Sequence, residues 1–302
     1  MPAHQSSLRW ALGLLALVLT FSSVLADTAG CGKSATLTSG TKTMTVNGKS
    51  RRWIVRLPSN YDNKKPHRLV FGVHWRDADY QAVDGGSAPY YGLKAKMGTD
   101  TIFVAPDGLN KGWANSGGED ITFFDQIIKA VSDDLCINEK LIFSLGFSYG
   151  GAMSYSLACS RPKVVRAVAV LSGAQLSGCA TTSDPVVRPF LLEPLLRTAL
   201  TEPSQAYYQQ HGVRDSVLNL SMGKSLRDSM LRRNGCASKT AGEPARNSRQ
   251  RTKTTYECKA EYPTVFTAFD GDHVALPNDS GSDGGANSWT INEVYTFFNQ
   301  FK

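Results

Sequence analysis

The sequence predicts a mostly parallel, doubly wound α/β sheet with an antiparallel hairpin at its N-terminal edge. Three observations lead there. Short apolar runs recur along the chain, each the length of one strand buried on both faces. Segments of helical periodicity lie between them, the alternation that builds parallel sheets. Ahead of that alternation, two strand-like runs flank Asn47-Gly48, a dipeptide suited to a tight hairpin turn.

Residues 43–46 and 52–57 form the expected hairpin. Residues 68–73, 101–105, 141–146 and 165–171 are expected strands, largely apolar as double burial requires. Residues 121–131 and 152–158 carry helical periodicity between them. Later, 206–211 and 265–269 read as strands, and 217–232 and 289–301 as helices. Working side chains in such a sheet project from the carboxyl ends of its strands.

At the N-terminus, Arg9 precedes an apolar run from Trp10 to Phe21, and Val24-Leu25-Ala26 offers small residues to a signal peptidase. A run of about a dozen apolar residues is too short for a bilayer, which takes roughly 20. Residues 1–26 therefore read as a leader and 27–302 as a single α/β domain, secreted and extracellular. All six cysteines, Cys31, Cys136, Cys159, Cys179, Cys236 and Cys258, follow the cleavage point, so three disulfides are expected. Cys236 with Cys258 is the one locally attractive pair, and the remaining connectivity stays open. Without a CxxC pair or a His/Cys cluster, no metal site is expected.

The net charge is +7, one unit of which leaves with Arg9. Arg246, Arg249, Arg251 and Lys253 fall in a polar stretch that reads as a solvated loop. An acidic polysaccharide is the alternative reading of that patch, and no motif supports nucleic acid. Asn219-Leu220-Ser221 and Asn278-Asp279-Ser280 are glycosylation sequons, with Asn278 the expected carrier because it lies in a polar stretch.

Gly146-Phe147-Ser148-Tyr149-Gly150-Gly151 follows one expected strand and opens an expected helix. That context makes it a nucleophile elbow of the α/β-hydrolase type, in which a strained turn exposes the serine hydroxyl. The flanking glycines let neighbouring backbone pass where a Cβ would clash. A serine needs a base, and beyond the leader the histidines are His67, His74, His211 and His273. The order serine, acid, histidine leaves His211 and His273. His273 sits in a loop after a strand, whereas His211 lies inside a strand pattern as a packed histidine would. His74 reads as a structural loop histidine.

Asp215 follows one strand and precedes a helix, the setting for the acid that orients the imidazole. Asp270 and Asp272 are competitors that lie close enough to His273 to be shaping its turn. Asp184 has no strand before it. For the oxyanion, the backbone N–H of Tyr149 is expected first, with a second from Trp75 or Arg76 after the 68–73 strand. Trp113 and Tyr149 are candidates to line an apolar acyl slot, and each is equally explicable as packing.

Six segments together resemble the fungal feruloyl esterases, which are allied to carbohydrate esterase family one and to extracellular polyhydroxyalkanoate depolymerases. They are Phe71-Gly72-Val73-His74-Trp75-Arg76, the stretch from Gly112-Trp113 to Glu119-Asp120, and the elbow. Gly173-Ala174-Gln175-Leu176-Ser177-Gly178-Cys179, His211-Gly212-Val213-Arg214-Asp215-Ser216-Val217 and Gly271-Asp272-His273 complete the set. The resemblance runs from about Cys31 to Phe301. It implies cofactor-free hydrolysis of ferulate or p-coumarate esters on arabinoxylan or pectin, with no membrane or obligate protein partner. It also implies the triad Ser148, Asp215 and His273.

Two departures stand out. Asp77-Ala78-Asp79 replaces the glycines common after His-Trp-Arg in relatives, at the lip of the expected cleft. Residues 187–205 interrupt a connection that is short in relatives. Val187 and Gln205 can be encoded with the GT and AG of an intron, and Pro189, Pro194 and Pro203 interrupt any helix there. A retained intron is the first reading of this segment and a substrate lid the second. An acetylxylan esterase or polyester depolymerase on the same scaffold is the rival activity. A non-catalytic polysaccharide-binding protein is the rival of another class.

Overall fold

The computed structural model describes residues 28–179 and 205–302. The expected leader, Asp184 and all of 187–205 except Gln205 lie outside the described residues. Nine strands within them join in one sheet: β1 (Gly40–Val46), β2 (Lys49–Arg56), β3 (His67–Val73), β4 (Thr101–Pro106), β5 (Ile137–Phe147), β6 (Ala167–Leu171), β7 (Ala206–Gly212), β8 (Arg251–Tyr256) and β9 (Thr264–Phe269). Their spatial order is β1-β2-β4-β3-β5-β6-β7-β9-β8. Strands β4 through β9 of that order run parallel. The antiparallel pairs are β1 with β2, β2 with β4, and β8 with β9.

Period-two alternation sends each strand's side chains to two cores. Leu69, Phe71 and Val73 of β3 pack with Ile121, Phe124 and Ile127 of α3 (Glu119–Asp134) and with Met153 and Leu157 of α4 (Tyr149–Ser160). Val70 faces the opposite layer. There it meets Val83 of α1 (Tyr80–Asp84), Leu93 of α2 (Leu93–Met97), and Val294 and Phe298 of α6 (Trp289–Asn299). Helices on both faces make the sheet doubly wound, as expected. From β3 the chain moves to β4 on one side and later returns to β5 on the other. That reversal opens a crevice at the carboxyl ends of β3 and β5, where open α/β sheets bind ligands.

Two expectations change. The polar, basic stretch is not all loop, because Arg251–Tyr256 forms the edge strand β8 with Thr254 and Tyr256 buried. Arg251 pairs with Asp279, and both Arg251 and Lys253 approach Glu293 at 3.7 Å. Cations on an edge strand discourage pairing with another chain, and here carboxylates of the same chain face them. The helix expected from 217 begins later, as α5 (Leu220–Arg233). Asp215 Oδ1 takes the N–H groups of Val217 (3.0 Å) and Leu218 (2.7 Å), so the chain turns before exposed Asn219 caps the helix through Met222 N–H.

The disulfides are Cys31–Cys136, Cys159–Cys179 and Cys236–Cys258. The second ties the end of α4 to the loop after β6. Among the described residues no helix is long and apolar enough to cross a membrane.

Candidate active site

Ser148 stands at the carboxyl end of β5 with φ 55° and ψ −116°, a left-handed-side conformation that a side chain adopts only under strain. The turn holds because its surroundings leave no alternative. A Cβ on Gly146 would lie 2.4 Å from Gly150 C, and one on Gly150 would lie 2.1 Å from Val73 O. Ser148 N–H donates to Leu171 O of β6 at 2.9 Å, and Ala152 N–H closes the first turn of α4 onto Ser148 O. Strain at Ser148 is thus offset by two neighbouring strands and a helix.

His273 comes from the loop after β9 and lies over the elbow, its ring centroid 4.6 Å from that of Phe147. Its Nδ1–H donates to Asp215 Oδ2 at 2.7 Å. Its Nε2 is buried and has no partner among the described residues. An imidazole held by a carboxylate at one nitrogen and open at the other is set to take a proton from a hydroxyl.

The competing carboxylates are engaged elsewhere. Asp270 is buried and accepts from Arg214 Nε (2.7 Å) and Arg249 N–H (2.9 Å). Asp272 Oδ1 accepts from Ser216 N–H and Oγ (both 2.8 Å) and from His273 N–H (2.7 Å). The Ser216 N–H chiefly holds the Asp272 pKa below the usual carboxylate range. Both shape turns, as their closeness to His273 suggested.

The loop after β3 lies against the elbow, the Trp75 and Phe147 ring centroids 6.3 Å apart. Trp75, Arg76 and Tyr149 N–H groups bond to no acceptor among the described residues, which leaves them free for an incoming oxygen. His74 braces this loop from beneath. It donates Nδ1–H to Trp75 O (2.7 Å) and accepts Gly108 N–H at Nε2 (2.9 Å). Burial lowers its pKa, which fits a neutral structural imidazole.

Asp77 adopts φ 66°, a left-handed value that glycine also meets, and its N–H donates to Lys111 O at 2.9 Å. Asp79 caps α1 by accepting from Gln81 and Ala82 N–H. The departure from glycine therefore keeps the loop's turn and adds a helix cap.

Trp113 borders the same cleft as Tyr149 but is almost wholly packed, and its Nε1–H donates to His74 O at 2.8 Å, a second brace for the same loop. Tyr149 does reach the surface of a cleft of about 380 Å³, walled by Lys49, Arg76, Asn110, Lys111 and Ser116. Asn110, Lys111 and Asn115 around this cleft all have φ between 51° and 54°. Non-glycine residues in that region concentrate at functional sites.

Tyr91 carries no motif and went unnoticed in the sequence. Its buried hydroxyl donates to Val73 O (2.7 Å) and accepts Phe147 N–H (3.3 Å), joining the ends of β3 and β5 below the site. Only a buried tyrosine between two strand ends does this, and nothing in the local sequence marks it.

No family model matches the chain. It is 43% identical to feruloyl esterase D of Neurospora crassa over all of both chains. It is 42% identical to feruloyl esterase C of Emericella nidulans over 85% of this chain and 87% of that one. Among solved structures, a ferulic acid esterase from Anaeromyces mucronatus superposes with TM-score 0.55 at 15% identity, covering 87% of this chain and 90% of its own. An acetyl xylan esterase from Aspergillus awamori gives 0.58 at 14%, covering 78% and 94%. These two show the shared fold. By its likeness to the curated relatives over nearly their whole length, the chain belongs to the feruloyl esterase family of carboxylic ester hydrolases.

Proposed function

We propose that this enzyme is secreted and hydrolyses hydroxycinnamate esters on plant cell-wall polysaccharide through an acyl-enzyme. The observation that carries the mechanism is the 2.7 Å bond from His273 to Asp215, beside a serine in a strained elbow. The substrate class rests on the names of the fungal relatives. Ser148 Oγ attacks the ester carbonyl as His273 Nε2 takes its proton. Tyr149 N–H and one N–H from Trp75 or Arg76 hold the oxyanion. The carbonyl reforms, and the sugar oxygen leaves with the proton from His273. A water then repeats the sequence on the acyl-enzyme and releases the acid.

The two sides of the ester need different surfaces. The cleft walled by Lys49, Arg76, Asn110 and Lys111 offers the polar groups that sugar hydroxyls require. Leu176 and Val217 are the large apolar side chains left exposed among the described residues, at 42% and 64%. They lie in the loops after β6 and β7, and Val217 is two residues from Asp215. On this reading the aromatic acyl group rests against these two side chains.

A rate comparison tests this reading, using methyl ferulate, p-nitrophenyl acetate and polyhydroxybutyrate with a fluorophosphonate label on Ser148. Methyl ferulate is expected to be the best ester. A preference for the acetate or the polymer would move the enzyme to the rival specificity, and an unlabelled Ser148 would argue for a binding protein.

A further inference from the structure

His211 is the last but one residue of β7, fully buried, and takes no part in the mechanism above. Its Nε2–H donates to Leu218 O at 2.6 Å, and the same nitrogen lies 3.4 Å from Asp215 Oδ2. Leu218 is also the residue whose N–H holds Asp215 Oδ1 at 2.7 Å. Both backbone groups of Leu218 are therefore held, its N–H by the Asp215 carboxylate and its carbonyl by His211. Asp215 Oδ2 lies between two imidazoles, His273 from the β9 loop and His211 from its own strand.

The ring is also immobilised from behind. A Cβ on Gly223 of α5 would lie 2.3 Å from His211 Nδ1, so only glycine there leaves the ring its place. Gly223 O in turn accepts Gln209 Nε2–H at 2.9 Å, which fixes this turn of α5 to β7. Nδ1 itself is buried with no partner among the described residues, so the fit to α5 is one of shape alone.

We propose that His211 is a positioning residue, a second imidazole that locks the Asp215–Leu218 turn and so sets the carboxylate that orients His273. The proposal rests on the reading of Ser148, Asp215 and His273 as the triad. Burial lowers the His211 pKa, which keeps the ring a neutral Nε2–H donor while His273 gains and loses its proton. The groups facing it are Asp215, His273 and the uncharged first turn of α5.

The test uses the full-length enzyme, with active sites counted by fluorophosphonate and methyl ferulate as substrate. His211→Leu removes the donor at similar volume and is expected to lower kcat about 10²-fold while KM stays within about twofold, since small misplacement of a catalytic group costs about that much. His211→Gln places an N–H near the original Nε2 and is expected to recover most of the loss. An unchanged kcat per active site in His211→Leu, with only a lower Tm, would overturn the proposal. Asp215→Asn run alongside separates the two readings, because near-normal activity there would mean that the triad assignment has failed. Nitrogen-15 spectra of the wild-type histidines give a measurement that needs no variant. They are expected to show His211 protonated at Nε2 and bare at Nδ1 around neutral pH, and the reverse tautomer would also overturn the proposal.

Discussion

At the scale of single residues, the proposed site sets one partly exposed group among several buried ones. In the proposed mechanism His273, partly exposed, carries the proton, whereas Asp215, His211 and His74 are buried and hold geometry. Loss of Ser148 or His273 to alanine is expected to abolish turnover with the fold intact, since triad members act as a unit. Asp215→Asn is expected to lower kcat about 10⁴-fold, because the amide favours the wrong imidazole tautomer. Steady-state kinetics on methyl ferulate reads both, and near-normal rates in Asp215→Asn would shift the acid role to another carboxylate. The exposed side chains of Leu176 and Val217 make a separate prediction. Val217→Asp or Leu176→Asp should raise KM for methyl ferulate roughly tenfold while leaving p-nitrophenyl acetate hydrolysis within about twofold, the scale of losing part of one apolar contact. Equal effects on both esters would place the aromatic group elsewhere.

At the scale of elements, the entry to β7 is held by a pair of hydrogen bonds across to the end of α5. Gln205 N–H donates to Asn234 Oδ1 (2.9 Å), and Asn234 Nδ2 donates back to Gln205 O (2.7 Å). The Gln205 side chain is buried, yet neither amide atom has a partner among the described residues. An unsatisfied buried polar group costs about 1–3 kcal/mol. Removing 187–205 would bring Val186 to this position, keep the backbone bonds and replace the amide by an apolar side chain. The segment is proposed to be a retained intron on these grounds. The shortened enzyme is then expected to melt higher and to remain active, and spliced transcripts should lack the segment. Loss of activity on deletion, with the segment kept in mature transcripts, would establish a lid instead.

At the scale of the whole molecule, two buried histidines couple folding to pH. Burial holds the pKa values of His74 and His211 below the ordinary 6.5. The unfolded chain therefore binds protons that the native state refuses in the range below 6.5. Their contribution to stability is complete above about pH 6.5 and is lost as pH falls from there through the native values. Asp272, held down chiefly by Ser216, adds a loss of the same sign within the carboxylate range. Melting curves between pH 8 and 5 should show Tm falling below about 6.5, and His74→Gln should flatten that fall. A Tm that rises on acidification would contradict this account.

What could be read without coordinates was whatever is local in the chain. Alternation of buried strands and amphipathic helices follows from neighbouring residues, and so does the elbow, whose glycines are required within two residues of Ser148 by backbone contact. The order of strand ends pointed to Asp215 and His273, which the fold brings within 2.7 Å of one another. Edge strand β8 escaped because its charges look like a solvated loop until Asp279 and Glu293 are seen opposite them. Two of the three cystine pairings, the Tyr91 brace, the burial of Trp113 and the grip of His211 on Leu218 join residues from separate strands, loops and helices. Only the folded chain could decide them, because each depends on which segments the sheet order brings into contact.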